Sequence, residues 1–196
     1  MNDPEHRETV NRAGSSETWD ITVLLENNAA SEDLAYEHGL SIWIETPDGA
    51  VLFDTGHSDA FVQNAERLGV RVERAAALVI SHGHYDHAGG LAAALSRTDA
   101  PLYVGPGIAD PRATTTNGVR RDIGLDPSVL ESARGRVRLV AERTRILDAV
   151  EVFPAAPRLG PIPSDNARLM RRTDAGYEPD PFHDELSSVI HAPDGR

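Results

Sequence analysis

The chain has 196 residues, enough for one domain with a sizeable core. Its net charge of -12 argues against nucleic-acid backbones and anionic membranes as partners. All 19 cationic residues are Arg and there is no Cys. Schiff-base lysine chemistry, a phosphate-loop lysine, disulfides and cysteine nucleophiles are therefore excluded, and any metal must be held by His and carboxylate.

Met1 to Thr18 is polar and charged and lacks the apolar centre of a signal peptide. Residues 1–18 read as a flexible tail and 19–196 as a single domain, with a cytoplasmic location expected. No apolar run reaches the length of a membrane span. Trp19 to Leu25 shows β-type alternation, and Asn27 to Gly39 is a polar loop. Leu40, Ile42 and Ile44 alternate with Ser41, Trp43 and Glu45, as in a half-exposed strand. Thr46-Pro47-Asp48-Gly49 supplies a tight turn into the partner strand Val51-Leu52-Phe53. Asp54 follows at the strand end, and His57 reads as a loop residue. Ser58 is placed to cap a helix whose apolar stripe is Phe61, Ala65 and Leu68, with Asn64 its polar exception.

Ala75 to Ile80 is a short apolar run of buried-strand type, and Leu91 to Leu95 is helix-prone. Between them lies Ser81-His82-Gly83-His84-Tyr85-Asp86-His87-Ala88-Gly89-Gly90. On an extended backbone His82 and His84, two residues apart, point to one side. Asp86 and His87 follow where the chain turns into the helix and can aim at a second nearby point. Two nitrogens for one ion, and a nitrogen with an oxygen for another, suit a borderline metal such as zinc. The glycines let the backbone turn tightly.

Pro101 to Val104 reads as a strand. Ile108 to Pro127 has no clear periodicity and reads as a lid or a surface excursion, with Arg112, Arg120 and Arg121 as solvated side chains or phosphate contacts. Val137 to Val140 and Val150 to Phe153 read as strands, Pro154 to Pro163 as irregular, Asp174 to Pro181 as an acidic loop, and Leu186 to Ile190 as a final strand.

His82-x-His84-x-Asp86-His87, preceded by Val51-Leu52-Phe53-Asp54-Thr55-Gly56, resembles the signature of the metallo-β-lactamase superfamily. Phe61 to Val70, Ser81 to Leu91, Gly160 to Pro163 and Phe182 to Leu186 together resemble its 7,8-dihydropterin-6-methyl-4-(β-D-ribofuranosyl)aminobenzene-5′-phosphate synthase-like branch. The resemblance implies an α/β (α+β) chain folded as an αββα sandwich. It implies two metal ions, zinc with manganese or iron as alternatives, held by His82, His84, Asp86 and His87. Asp54 would support the metal loop from behind. A metal-activated hydroxide, oriented by Asp86, would attack a small-molecule substrate bearing a pterin or a phosphate; a β-lactam is disfavoured by the missing export signal.

Leu40 to Gly49 has an echo in Leu186 to Gly195, where Leu, Ser, Ile, Pro, Asp and Gly recur in register. Since the resembled fold has two similar halves, the second copy reads as a hairpin left unfinished at Arg196. The T-G-x-x-H segment and last His of the resembled family have no counterpart here, so both metal shells are expected to be short of ligands. His183, Asp184, Glu185 and His191 are the available substitutes, with the two histidines read as ordinary surface or strand residues. The alternative reading is a metal-binding remnant without turnover, or a fragment needing a further segment or chain. An exposed sheet edge at Leu186 would favour a homo-oligomer.

Overall fold

A computed structural model describes residues 19–155, 160–161 and 164–192. The tail, part of the Pro154–Pro163 stretch including Ile162-Pro163, and the Pro193–Gly195 turn of the echo lie outside the described residues.

The chain first builds a six-stranded sheet. Strand β1 (Asp20–Leu25) pairs antiparallel with β2 (Ser41–Thr46), and the turn at Pro47-Asp48 folds β2 onto β3 (Gly49–Phe53). Helix α1 (Ala60–Arg67) then carries the chain over one face, so that β4 (Ala75–Ile80) lies parallel to β3. Helices α2 (Tyr85–Ala88) and α3 (Leu91–Leu95) repeat the crossover into β5 (Leu102–Val104). Helix α4 (Pro127–Ser132), capped by Asp126 through the Ser128 N–H, precedes β8 (Val137–Leu139) at the sheet edge.

Because β4 is an uninterrupted apolar run, both of its faces can be buried. Leu78 and Ile80 face the helices, packing with Leu52, Phe61, Leu91 and Leu102. Ala77 and Val79 face a second sheet of β13 (Leu186–Ile190), β10 (Val150–Pro154) and β9 (Thr144–Leu147), meeting Val150, Val152 and Leu186. Helix, sheet and sheet layers of the expected sandwich are thus present. A third sheet, of order β12 (Gly176–Pro179), β11 (Leu169–Thr173), β6 (Arg112–Thr116) and β7 (Val119–Asp122), forms an arm beside them.

Several expectations need correction. Strand β2 is buried on both faces rather than half-exposed, because it lies inside the sheet; Trp43 joins the helix-side core and Ile44 the inter-sheet core. Helix α1 starts one residue later than a Ser58 cap implies, with Asp59 at the cap position; the Ser58 hydroxyl accepts the Ala60 N–H. Leu68 is exposed, and Val62 takes its place in the stripe. Asn64 is fully buried and no exception: its amide donates to the Leu24 and Ala35 carbonyls at 2.7 and 2.8 Å and accepts the Ala35 N–H at 2.8 Å, tying the polar loop to β1. The supposed loop from Ile108 is the β6–β7 hairpin, closed by Asn117-Gly118 at φ 52° and 75°, the left-handed pair that a two-residue hairpin turn requires. Most of the supposed acidic loop belongs to the β11–β12 hairpin.

Candidate metal centre

The histidine loop leaves the carboxyl end of β4, beside the carboxyl end of its parallel neighbour β3. That adjacency brings Asp54 against Ser81. The Asp54 N–H donates to the Val79 carbonyl at 2.9 Å, and the backbone there turns left-handed at φ 59°. A non-glycine residue in that region is strained, and such strain concentrates at functional sites. The buried Asp54 carboxylate accepts the Ser81 N–H, the Ser81 hydroxyl and the His87 Nδ1–H, each at 2.7 Å. The Thr55 N–H fixes the His87 carbonyl at 2.8 Å.

Hydrogen-bond logic assigns a tautomer to each imidazole. An ionised carboxylate only accepts, so His87 donates from Nδ1 and keeps a lone pair on Nε2. The Ser81 hydroxyl gives its proton to Asp54, so it accepts from His82 Nδ1 at 3.0 Å, leaving His82 Nε2 free. His84 Nε2 faces Asp180 Oδ2 at 3.3 Å, leaving Nδ1 free. The rings cluster, with centroids 4.7 Å apart for His82 and His84 and 4.3 Å for His82 and His87. One nitrogen anchored behind and the other offered in front is the arrangement of metal-binding histidines.

A second polar system supports the loop from the arm side. The Arg112 side chain is fully buried, 2.9 Å from Asp180 Oδ2 and 2.6 Å from Asp184 Oδ1. Asp184 Oδ2 accepts the Gly83 N–H at 2.8 Å. Asp180 Oδ1 accepts the Phe182 N–H at 2.9 Å across Pro181. Phe182 is itself left-handed, φ 54°, and its ring sits 5.5 Å from that of His82 and 5.0 Å from that of His84.

Burial, with the neighbouring His87, His84 and Arg112 charges, holds the His82 imidazole down to about 2, so it is neutral across the physiological range. Burial also opposes charge on His87, but the Asp54 hydrogen bond and charge, with Asp86 and Glu185, outweigh it and raise its pKa. For Asp180, burial is outweighed by hydrogen bonds from His84 and the Phe182 N–H and by Arg112, so its carboxyl lies well below the usual range. Burial raises Asp184, against Arg112 and the Gly83 N–H. The Arg112 guanidinium thus faces two buried carboxylates, Asp180 and Asp184, while the buried Asp54 carboxylate faces Ser81 and His87.

The structure brings His82, His84 and His87 together, with Asp54 behind them. Asp86 lies at the rim, its Oδ2 3.8 Å from His87 Nε2 and 3.3 Å from Nε2 of the exposed His38. Among the described residues, no three His, Asp or Glu side chains form a complete coordination group. The donor set nonetheless suits a divalent ion: imidazole nitrogens, each with the ring's other nitrogen held by a neighbour, and an adjacent carboxylate. His57 packs edge-on against Tyr85 at 4.8 Å, His183 lies 3.4 Å from Asp110, and His191 is 3.5 Å from Glu151 on the far sheet. Arg112 is no solvated lid residue but a buried anchor, while Arg120 stacks over Tyr177 at 3.9 Å. Asp180 and His38 carry no specific signal in the sequence, where the Asp180-Pro181 pair marks only a turn, while Phe182 opens the Phe182–Leu186 stretch of the resemblance without its place beside His82 and His84 being legible.

Comparison with known proteins converges on one family. Residues 36–196 match the family model of the metallo-beta-lactamase superfamily. The crystal structure of Tm1679, a metal-dependent hydrolase of the beta-lactamase superfamily, superposes with a TM-score of 0.71 at 27% identity, over 90% of this chain and 62% of that one. This chain therefore spans less than two thirds of that protein's length. A metallo-beta-lactamase of Cronobacter sakazakii shares the fold at 18% identity, with a TM-score of 0.51 over 83% of this chain and 55% of that one. The uncharacterized protein MJ0448 of Methanocaldococcus jannaschii is 38% identical over 71 residues, 36% of this chain and 27% of that protein. No described helix is long and apolar enough to cross a membrane. With the family model covering most of its length, the chain belongs to the metallo-beta-lactamase superfamily.

Proposed function

We propose that this chain is a metal-dependent hydrolase acting on a small substrate that bears a pterin or a phosphate. The observation that carries the reading is the set of lone pairs at His82 Nε2, His84 Nδ1 and His87 Nε2, each with its opposite ring nitrogen held by a neighbour. His82 and His84 would hold one ion, Asp86 and His87 a second. Zinc, or alternatively manganese or iron, would supply positive charge that lets water ionise near neutral pH and that offsets charge developing on the substrate. Asp54 and Ser81 orient His82 and His87 from behind. Asp86, partly exposed at the rim, orients the attacking water and accepts its proton at a carboxylate oxygen. The ring of Phe182 excludes solvent from the His82–His84 side.

The test is turnover of a generic phosphodiester and a generic ester by metal-loaded protein. Activity that disappears on chelation, returns with added metal, and falls at least a hundredfold in Asp86→Ala supports the reading; turnover indifferent to chelation contradicts it.

A second reading, a metal-binding chain without turnover, is favoured by the absence of a complete coordination group among the described residues. Tight metal binding without hydrolysis of either probe would select it.

A further inference from the structure

Arg112 opens β6 in the arm, a sheet separate from the one that carries the histidine loop, yet its side chain lies wholly buried against that loop. Four hydrogen bonds and two ion-pair contacts hold its guanidinium. Nε donates to Asp180 at 2.9 Å, and Nη1 donates to the carbonyls of Ile108 at 3.1 Å and Asp110 at 3.3 Å. Nη2 reaches the Gly107 carbonyl at 3.3 Å and Asp184 at 2.6 Å. A planar fork held at this many points fixes where its two carboxylates sit, which a flexible point charge would not do.

Each carboxylate in turn holds one part of the loop. Asp180 takes His84 Nε2 at 3.3 Å, and Asp184 takes the Gly83 N–H at 2.8 Å. The arm's backbone seals the same junction: Leu125 N–H donates to the Gly83 carbonyl at 2.8 Å, and Tyr85 N–H to the Ile123 carbonyl at 2.9 Å. A side chain at Gly83 would run into the Ile108 carbonyl and Arg112 Nη1, so the guanidinium and the loop backbone are fitted to each other.

We propose that Arg112 is a positioning residue: through Asp180 it fixes the His84 tautomer that offers Nδ1, and through Asp184 it fixes the loop backbone at Gly83. The use made of Nδ1 rests on the metal-dependent reading above, while the orientation is a property of the metal-free chain. Without the guanidinium, the two buried carboxylates lose the fork that fixes their orientation, and with it the acceptor facing His84 Nε2 and the one holding the Gly83 N–H. An amide at position 180 has one acceptor oxygen where the carboxylate has two, so its NH2 can turn to His84 Nε2 and favour the opposite tautomer. Lysine restores the charge but not the fork.

Histidine-selective ¹⁵N labelling of the metal-free protein reads the tautomer of each ring directly. In the unaltered chain His84 is expected as the Nε2–H form. In Asp180→Asn and in Arg112→Lys it should become a mixture or the Nδ1–H form, while the His87 signals, governed by Asp54, stay in place and report an intact fold. Cobalt affinity, followed by optical titration, should fall roughly 10–100-fold in both variants. Asp180→Asn keeps the side chain's shape and carries the test if Arg112→Lys does not fold. An unchanged His84 tautomer in folded Asp180→Asn would overturn the proposal. No cobalt uptake by the unaltered chain, with the tautomer shift still observed, would overturn the metal reading and leave the Arg112 assignment standing.

Discussion

Asp54 Oδ2 lies 2.7 Å from His87 Nδ1, and the same oxygen accepts the Ser81 hydroxyl that in turn meets His82. One buried carboxylate therefore sets the orientation of two imidazoles. Asp54→Asn replaces part of an acceptor-only group with a donor, so one of these contacts must fail. Metal affinity is expected to fall roughly 10–100-fold, and stability by about 2 kcal/mol from the unsatisfied buried group. Calorimetric metal titration and urea unfolding of the metal-free protein check both. Unaltered affinity would show that the carboxylate is a turn residue only.

Gly83 carries its own prediction. Gly83→Ala should destabilise by about 2 kcal/mol, since the added Cβ meets the Ile108 backbone carbonyl and the buried, anchored Arg112 guanidinium. Gly135→Ala, where nothing lies within 4 Å, is the control and should be near neutral in thermal unfolding.

Acid sensitivity follows from His82. Its folded-state pKa is lowered from 6.5 to about 2, so below pH 6.5 the unfolded chain binds a proton that the folded chain refuses. Stability of the metal-free protein should therefore fall as pH drops through this window, by about 1 kcal/mol per pH unit from this group. The raised pKa of His87 acts in the opposite sense but above pH 6.5, where stability from Asp54 pairing is lost as pH rises. Replacing His82 with Gln should flatten the acid limb between pH 6.5 and 4.5. An identical slope in urea midpoints against pH would contradict the burial of a neutral ring.

Asn64 separates scaffold from site. Asn64→Leu leaves the Leu24 and Ala35 carbonyls and the Ala35 N–H without partners, which should destabilise by about 3 kcal/mol. Metal affinity at saturating protein stability should not change. A metal defect in the folded variant would mean that the Asn28–Ala35 loop is coupled to the histidine cluster.

The histidine loop and its flanking elements were legible because each signal is local: an apolar strand, a dense donor motif, a helix-prone run. The β2–β3 hairpin was legible for the same reason. What escaped was long-range. Nothing near Arg112 in sequence marks it as buried, since its partners Asp180 and Asp184 arrive on the distant segment between β12 and β13. The polar face of β6 and β7 hid their pairing, although Asn117-Gly118 between β-branched residues was a usable turn signal. Asn64 looked exceptional because its three partners lie on β1 and the loop after it, invisible to a helical stripe.

The central claim is that His82 and His84 hold a metal ion, and the most direct measurement is metal content per chain by elemental mass spectrometry after equilibration with zinc and desalting. The unaltered protein is expected to retain metal, and the His82→Ala/His84→Ala double variant to lose at least one ion while remaining folded by circular dichroism. Equal metal content in the two proteins would contradict it.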